Sequence, residues 1–525
     1  MSTARIEVRP RQALPSAGSP RRELDPLSAV AVALALLLVG HGVIEGYLPF
    51  ETLMLLLSAS ALLMSAFYIL CVRGDVSGFL LVVFLCSHFV YLPARGGLFT
   101  LLTTIMVPAY LIYFKRKFAL ETPSRTVLLL VGTLWIANVV SLAGNGSIGL
   151  GSKVWSGLMF AGQQLAFLLA ASIPLTRRRV RLFIRVMQAG VVLIFLVMLN
   201  QTLGLFPLRT PLLGVTPSPD AINAVVQRFH VGTFMHSELS GEYGAMVAAI
   251  LTPLLATSVS FAGFRISRNS LALSIVIALG IITMSGARAA TALAVAAIAF
   301  YLFYFLGSRM RSVDRRSGFF SRISLVILAS AVLAASVGGA FLVKRLAGTA
   351  VTGLSVEGIV SGEGINRGVT TRIALVLLAR NSGLLGAGLG TPDINRQAFS
   401  VVGGMPNYLD LHSLYWEAPL LLGWFGAACM ALLWLLVLGR LLRQMRKGRR
   451  NTHPLLPVAL GLVVMWCVFL VDQYKISMFR TPGYQVMIWT LLGFSVSVGR
   501  TLWRWQRRVA AGQAPEGQPG WDDPL

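Results

Sequence analysis

Six side chains combine the types and positions that chemistry at a membrane boundary would need: His412, Arg288, Arg228, Arg372, Arg380 and Arg480. His412 ends a polar stretch that begins near Arg345, and a long apolar run follows Ser413. Nine residues separate Ser413 from Gly423, and Trp424-Phe425 separates Gly423 from Gly426. An unperturbed imidazole titrates at about 6.5, so His412 suits a general base. It equally suits an interfacial group bonded to a carbonyl. The five arginines carry planar forks that match phosphate or pyrophosphate oxygens bidentately. As a set they point to an anionic substrate. The plain alternative is that they snorkel to lipid headgroups or pair with Asp393, Asp410 and nearby glutamates.

Neighbouring groups narrow that chemistry. His230, His236, Glu238 and Glu242 crowd Arg228 where the chain enters a further apolar run. No two of His230, His236 and His412 have the i, i+3 or i, i+4 spacing of helical metal ligands, and no HExxH occurs, so nothing calls for a metal or other cofactor. Gly386-Ala387-Gly388-Leu389-Gly390 lacks the strand-turn-helix context of a dinucleotide loop and reads as a tight turn. Glu417 lies five residues past His412, roughly 500° around a helix, and so is not directly above it. Asp472 and Lys475 have the spacing of an ion pair at a helix end.

The elements that must position these groups are transmembrane helices. The chain has 525 residues, 56% hydrophobic and only 12% charged, with a mean hydropathy of +0.74. Soluble domains do not have that composition, and continuous apolar runs exclude an alternating outer-membrane barrel. The runs predict fourteen spans at 27–48, 52–72, 78–92, 98–114, 127–142, 154–174, 182–203, 241–261, 271–284, 289–306, 323–343, 414–438, 455–471 and 484–498. The expectation is thus an all-α, polytopic bundle of about 12–14 spans. The short pair around Ser285-Gly286-Ala287-Arg288 reads either as two spans or as a re-entrant hairpin.

The net charge of +25 lies in clusters between apolar runs, which signals topology rather than nucleic-acid binding. With the amino terminus inside, most of the 45 Lys and Arg residues fall in inner segments. Residues 1–26 then form a basic inner tail and 27–500 the transmembrane domain. Residues 501–525 form an inner tail expected to be disordered, Gly/Pro-rich from Ala510. The long loops at 204–240 and 344–412 face outward, as do His412 and the five arginines. Cys71, Cys86, Cys429 and Cys467 all sit in apolar runs without CxxC spacing, which argues against disulfides and zinc. Residues 1–26 lack the apolar core of a cleavable leader.

Four stretches together resemble the bacterial O-antigen ligase and polysaccharide polymerase superfamily of integral membrane glycosyltransferases. His412-Ser413-x9-Gly423-x2-Gly426 fits its pattern of His, then Asn, Ser or Gln, nine residues, Gly, two residues, and a small or aromatic residue. Ser285-Gly286-Ala287-Arg288 is similar to its Ser-Arg-Gly turn between two helices, with the arginine two positions later. Arg372, then Arg380-Asn381-Ser382-Gly383 and the glycine run to Gly390, looks like its arginine, helix and glycine-repeat segment, with Ser382-Gly383 where proline is common. Arg228-x3-Gly232-Thr233-Phe234 is like the entry to the helix after its earlier outer loop.

That resemblance covers about residues 228–426 and implies a GT-C-like helical fold with a large extracytoplasmic loop in the bacterial inner membrane. It implies metal-independent transfer of a glycan from undecaprenyl pyrophosphate to an acceptor sugar hydroxyl, on lipid A core or a growing chain. Arg288, with Arg228 and Arg372, would hold the pyrophosphate, with Arg380 and Arg480 as further candidates. His412 would orient or deprotonate the acceptor. A repeat-unit polymerase of the same superfamily, a flippase for a lipid-linked anion and a non-catalytic envelope scaffold remain open at this point. The absence of matched Gly/Pro-broken helices weighs against the flippase.

Overall fold

The computed structural model describes residues 78, 81, 84–85, 121–146, 149–203, 234, 237–257, 266–309, 375–379, 383–389, 413–448, 453–480 and 482–512. Every element among them is helical: α1 (Arg125–Gly144), α2 (Leu150–Ser172), α3 (Arg177–Leu203), α4 (Ser237–Ala256), α5 (Arg268–Ser285), α6 (Arg288–Arg309), α7 (Leu414–Gly448), α8 (Leu455–Asp472), a 3-10 turn (Met478–Arg480) and α9 (Pro482–Ala510). Each α-helix falls on a predicted span. Seven (α1 to α5, α7 and α9) are long and apolar enough to cross a membrane, and α6 and α8 carry shorter apolar stretches. The predicted spans 27–48, 52–72, 98–114 and 323–343 lie outside the described residues. So does 78–92, apart from helical positions at Gly78, Leu81, Phe84 and Leu85.

Helix α4 is the axis of the bundle. Every residue from Leu239 to Ala256 is buried. Small side chains permit that enclosure, because they let neighbouring backbones close in. A β-carbon at Gly244 would lie 2.8 Å from the Ala278 carbonyl oxygen of α5, and one at Gly461 of α8 the same distance from the Ile250 oxygen. Pro253 has no N–H and leaves the Ala249 carbonyl without its helical donor. The Tyr301 hydroxyl of α6 donates to that oxygen at 2.7 Å, as a membrane interior requires.

On the other side α2 and α9 pack along their length. The rings of Phe160 and Phe167 meet Trp489 edge-on at 6.3 and 6.0 Å, and the Ser497 hydroxyl donates to the Ala170 carbonyl at 2.8 Å. Helices α5 and α6 both flank α4, joined by a sharp turn. Gly286 sits there in the left-handed region at φ 62°, ψ 16°, and ends α5 three residues before the apolar stretch of α6 begins at Ala289.

The helices alternate in direction, which sorts charge between the two ends. Arg125, Arg177 to Arg179, Arg268, Arg309, the run from Arg440, and Arg500 to Arg508 gather at one end, the basic end. Gly144, Leu150, Ser237, Ser285, Leu414, Asp472 and Pro482 mark the opposite end. The last helix does not stop at Val498: it runs through Ala510, so the first part of the expected tail is helical. Helix α7 likewise continues past Leu438 to Gly448. Arginine and lysine are good helix formers whose stems cover apolar surface, and Leu441 and Leu502 keep both extensions packed at 1% and 0% exposure.

Candidate functional site

The end opposite the basic cluster is built around one carboxylate. Glu242 lies in the first turns of α4 and is completely buried. The Tyr484 hydroxyl of α9 donates to its Oε2 at 2.6 Å. The Gln473 amide Nε2, just past α8, donates to Oε1 at 3.0 Å and to Oε2 at 3.2 Å. A buried carboxylate needs its lone pairs met by donors, and here the described donors are neutral. The Gln473 Oε1 in turn accepts from the Met478 N–H at 2.7 Å, which fixes the 3-10 turn. The Phe234 ring packs edge-on to Tyr484 and tilted against Tyr243, sealing the cluster.

Gln473 also receives the start of α7. The Leu414 N–H donates to the Gln473 carbonyl at 3.0 Å, and the Ser413 hydroxyl to the same oxygen at 3.4 Å. Beside this, Lys475 forms an ion pair with Glu238. The Asp472 pairing expected from sequence gives way to one across helices. The Lys475 N–H caps the Asp472 carbonyl at 2.7 Å, and that turn sends its side chain toward the start of α4. Asp472 itself is 2% exposed.

The α5–α6 turn presses on the same place. A β-carbon at Gly241 would fall 2.6 Å from both Ala287 Cβ and Ser285 Oγ. The Ala287 N–H donates to Ser285 Oγ at 3.2 Å, and Arg288 opens α6 immediately after.

A second structure lies further along α7. At Gly423 (φ 72°, ψ 170°) the helix breaks. The break separates the Leu420 and Leu421 carbonyls from their helical donors, the N–H groups of Trp424 and Phe425. The glycine run supplies replacements. The Ala387 and Gly388 N–H groups donate to the Leu420 and Leu421 carbonyls at 2.9 and 2.7 Å, and the Phe425 N–H donates to the Leu384 carbonyl at 3.4 Å. A β-carbon at Gly386 would overlap the Leu421 carbonyl and the Gly423 nitrogen. From α1, Ser141 Oγ accepts the Gly386 N–H at 3.0 Å and Asn138 Oδ1 the Leu389 N–H at 2.9 Å. Asn145 Nδ2 donates to the Ala387 carbonyl at 2.9 Å. Four consecutive amides that a phosphate-cradling loop would offer are therefore committed to protein acceptors. The tight turn read from sequence is here, with Gly388 at φ 88°.

Residues 413–422 thus lead from Gln473 to the end of α1, and α7 proper begins after the break. Of the six candidate residues, two fall among the described residues. His412, Arg228, Arg372 and Arg380 lie outside the described residues. Arg288 and Arg480 are described in their backbone only, at the first residue of α6 and the last of the 3-10 turn. The chain neighbours of three of them are held around Glu242. Ser413 bonds Gln473, Ala287 packs on Gly241, and the Phe479 carbonyl accepts from Gln485 Nε2 at 3.0 Å. Between Arg372 and Arg380 a helical turn at 375–379 buries Leu377 and Leu378 in the core.

Sequence reasoning singled out Glu242 only as one of a crowd and missed Gln473 and Tyr484. The available signal was an acid inside an apolar run, which requires a polar partner wherever it faces protein.

The described fold is that of a multi-pass helical membrane protein. Neither the comparison with protein-family models nor that with curated proteins finds a match.

Proposed function

We propose that the protein is an O-antigen ligase-like membrane glycosyltransferase of GT-C-like fold, acting at the outer face of a bacterial inner membrane. It moves a glycan from undecaprenyl pyrophosphate to an acceptor sugar hydroxyl. The observation that carries the reading is His412-Ser413-x9-Gly423-x2-Gly426. Its glycine has a physical reason: Gly423 is the break on which the Gly386–Gly388 backbone docks. Two stretches of the resemblance, far apart in the chain, therefore touch. The anchoring of Ser413 and of the Ala287–Arg288 turn around one buried carboxylate supports the same reading.

In this mechanism the lipid pyrophosphate is already a good leaving group. The enzyme mainly neutralises its developing charge and orients the acceptor. Arg288, Arg228 and Arg372 carry the first task, with Arg380 and Arg480 beside them. His412 holds or deprotonates the attacking hydroxyl, which bonds to the anomeric carbon as the pyrophosphate departs.

The test is His412→Ala and Arg288→Ala at verified membrane levels, with surface glycan resolved on gels. Full-length unligated lipid-linked chains identify a ligase, and single repeat units on the acceptor a polymerase. Normal glycan from well-expressed His412→Ala protein overturns the assignment.

A further inference from the structure

The buried carboxylate has no task in that mechanism, and among the described residues it reaches the segment that follows His412 through Gln473. Gln473 is held at three points. Its amide nitrogen bonds Glu242, its amide oxygen bonds the Met478 N–H, and its own N–H bonds the Phe469 carbonyl at 2.9 Å. A residue pinned at both ends of its side chain and at its amide has a fixed carbonyl direction. That carbonyl is what the Leu414 N–H and the Ser413 hydroxyl use. The first N–H of a helix has no intrahelical partner, so the acceptor it finds sets where the helix begins. The residue before Ser413 is His412.

We infer that Glu242 is a positioning residue for the start of α7: through Gln473 it fixes the acceptor that Ser413 and Leu414 use, directly after His412 in the chain. This inference rests on the glycosyltransferase reading for its kinetic consequence, but not for its structural one.

The chemistry predicts how substitutions differ. In Glu242→Gln the Tyr484 hydroxyl can turn and accept from the new amide nitrogen, while the Gln473 Nε2 still donates to the amide oxygen. The relay survives. In Glu242→Ala, and in Gln473→Ala, it is cut. Tyr301→Phe removes a buried bond of comparable length to the Ala249 carbonyl elsewhere on α4, and controls for loss of stability alone.

The experiment uses the full chain in nanodiscs and reads two quantities. The first is hydrogen exchange at the amides of Leu414 to Glu417. The second is glycan transfer resolved into kcat and KM. We expect Glu242→Ala and Gln473→Ala to speed exchange there at least tenfold and to lower kcat about 100-fold with little change in KM, as a displaced catalytic group does. Glu242→Gln should restore both to within about threefold of the parent. Tyr301→Phe should leave both unchanged while lowering the melting temperature. Unchanged exchange at Leu414 in the two alanine variants overturns the relay, as does an equal kcat loss in Tyr301→Phe. If the parent transfers no glycan, the function reading fails, and exchange alone then decides the relay.

Discussion

The two ends of the bundle solve the same problem, a carboxylate among apolar helices, in opposite ways. At the basic end Glu121 meets Arg500 and Arg504 in ion pairs. The Arg500 guanidinium also reaches the Ile173 and Glu121 carbonyls at 3.3 Å. Arg504 keeps 39% of its side-chain surface exposed, and Arg507 lies over the Trp503 ring at 4.1 Å. Long cationic stems cover apolar surface there while their heads reach outward. At the opposite end Glu242 is fully buried and its described donors are an amide and a phenol. Flexible charges tolerate change because water can replace a lost partner. The described neutral donors to Glu242 and the close backbone contacts around it leave less room to adjust. The rigid end is the one that carries the candidate site.

The largest test of that contrast is Gly423→Ala. The residue sits at φ 72°, ψ 170°, conformational space that side chains strain to enter. A β-carbon there would also overlap the Leu384 carbonyl. Strain and overlap together should cost more than about 3 kcal/mol, read as loss of folded protein in detergent melts and loss of transfer. A Gly423→Ala protein of parental stability would remove the argument that the rigid end depends on backbone fit.

Glu242→Ala should follow, at about 3 kcal/mol, because it strands the Tyr484 hydroxyl and the Gln473 amide, at about 1–3 kcal/mol for each buried donor. The matching substitution at the basic end, Glu121→Ala, should cost only about 1–2 kcal/mol, since its arginines retain carbonyls and water. The Glu121 loss should shrink in high salt and the Glu242 loss should not. Denaturant melts at two ionic strengths separate the cases, and equal salt dependence would erase the distinction.

Much of this was legible in sequence, and the limits have physical causes. Apolar runs locate each of α1 to α9, because in a membrane the backbone has no other way to satisfy its amides. Boundaries failed at α7 and α9, where arginine runs read as helix ends although arginine continues a helix well. The Gly386–Gly390 turn and the importance of Gly423 were visible, but not that the two dock, since amides and carbonyls leave no sequence mark. The Glu242 cluster was invisible for another reason. Gln473 and Tyr484 lie 231 and 242 residues away, and a glutamine or tyrosine at a helix end is unremarkable alone. Lys475 was paired with Asp472 by proximity in sequence, whereas the tight turn after α8 directs it to Glu238.

The smallest predicted effect tests whether the basic end is as adaptable throughout as its arginines. His453, just before α8, is 2% exposed, and its ring lies tilted against Trp505 with centroids 4.7 Å apart. Its Nδ1 accepts the Leu455 N–H at 3.1 Å. Burial, and secondarily the positive charge of Arg177, lowers its pKa to about 3. The imidazole is therefore neutral in the folded protein, while the unfolded chain protonates it below about 6.5. Stability from this residue is fully present above that pH and is lost progressively as pH falls toward 3. At pH 5.5 the loss should be about 1 kcal/mol. His453→Asn keeps an acceptor for the Leu455 N–H and cannot titrate. Thermal melts between pH 7.5 and 5 should fall in the parent and flatten in the variant. Parallel slopes would mean that the imidazole charges without cost, and that the basic end is adaptable even where it is buried.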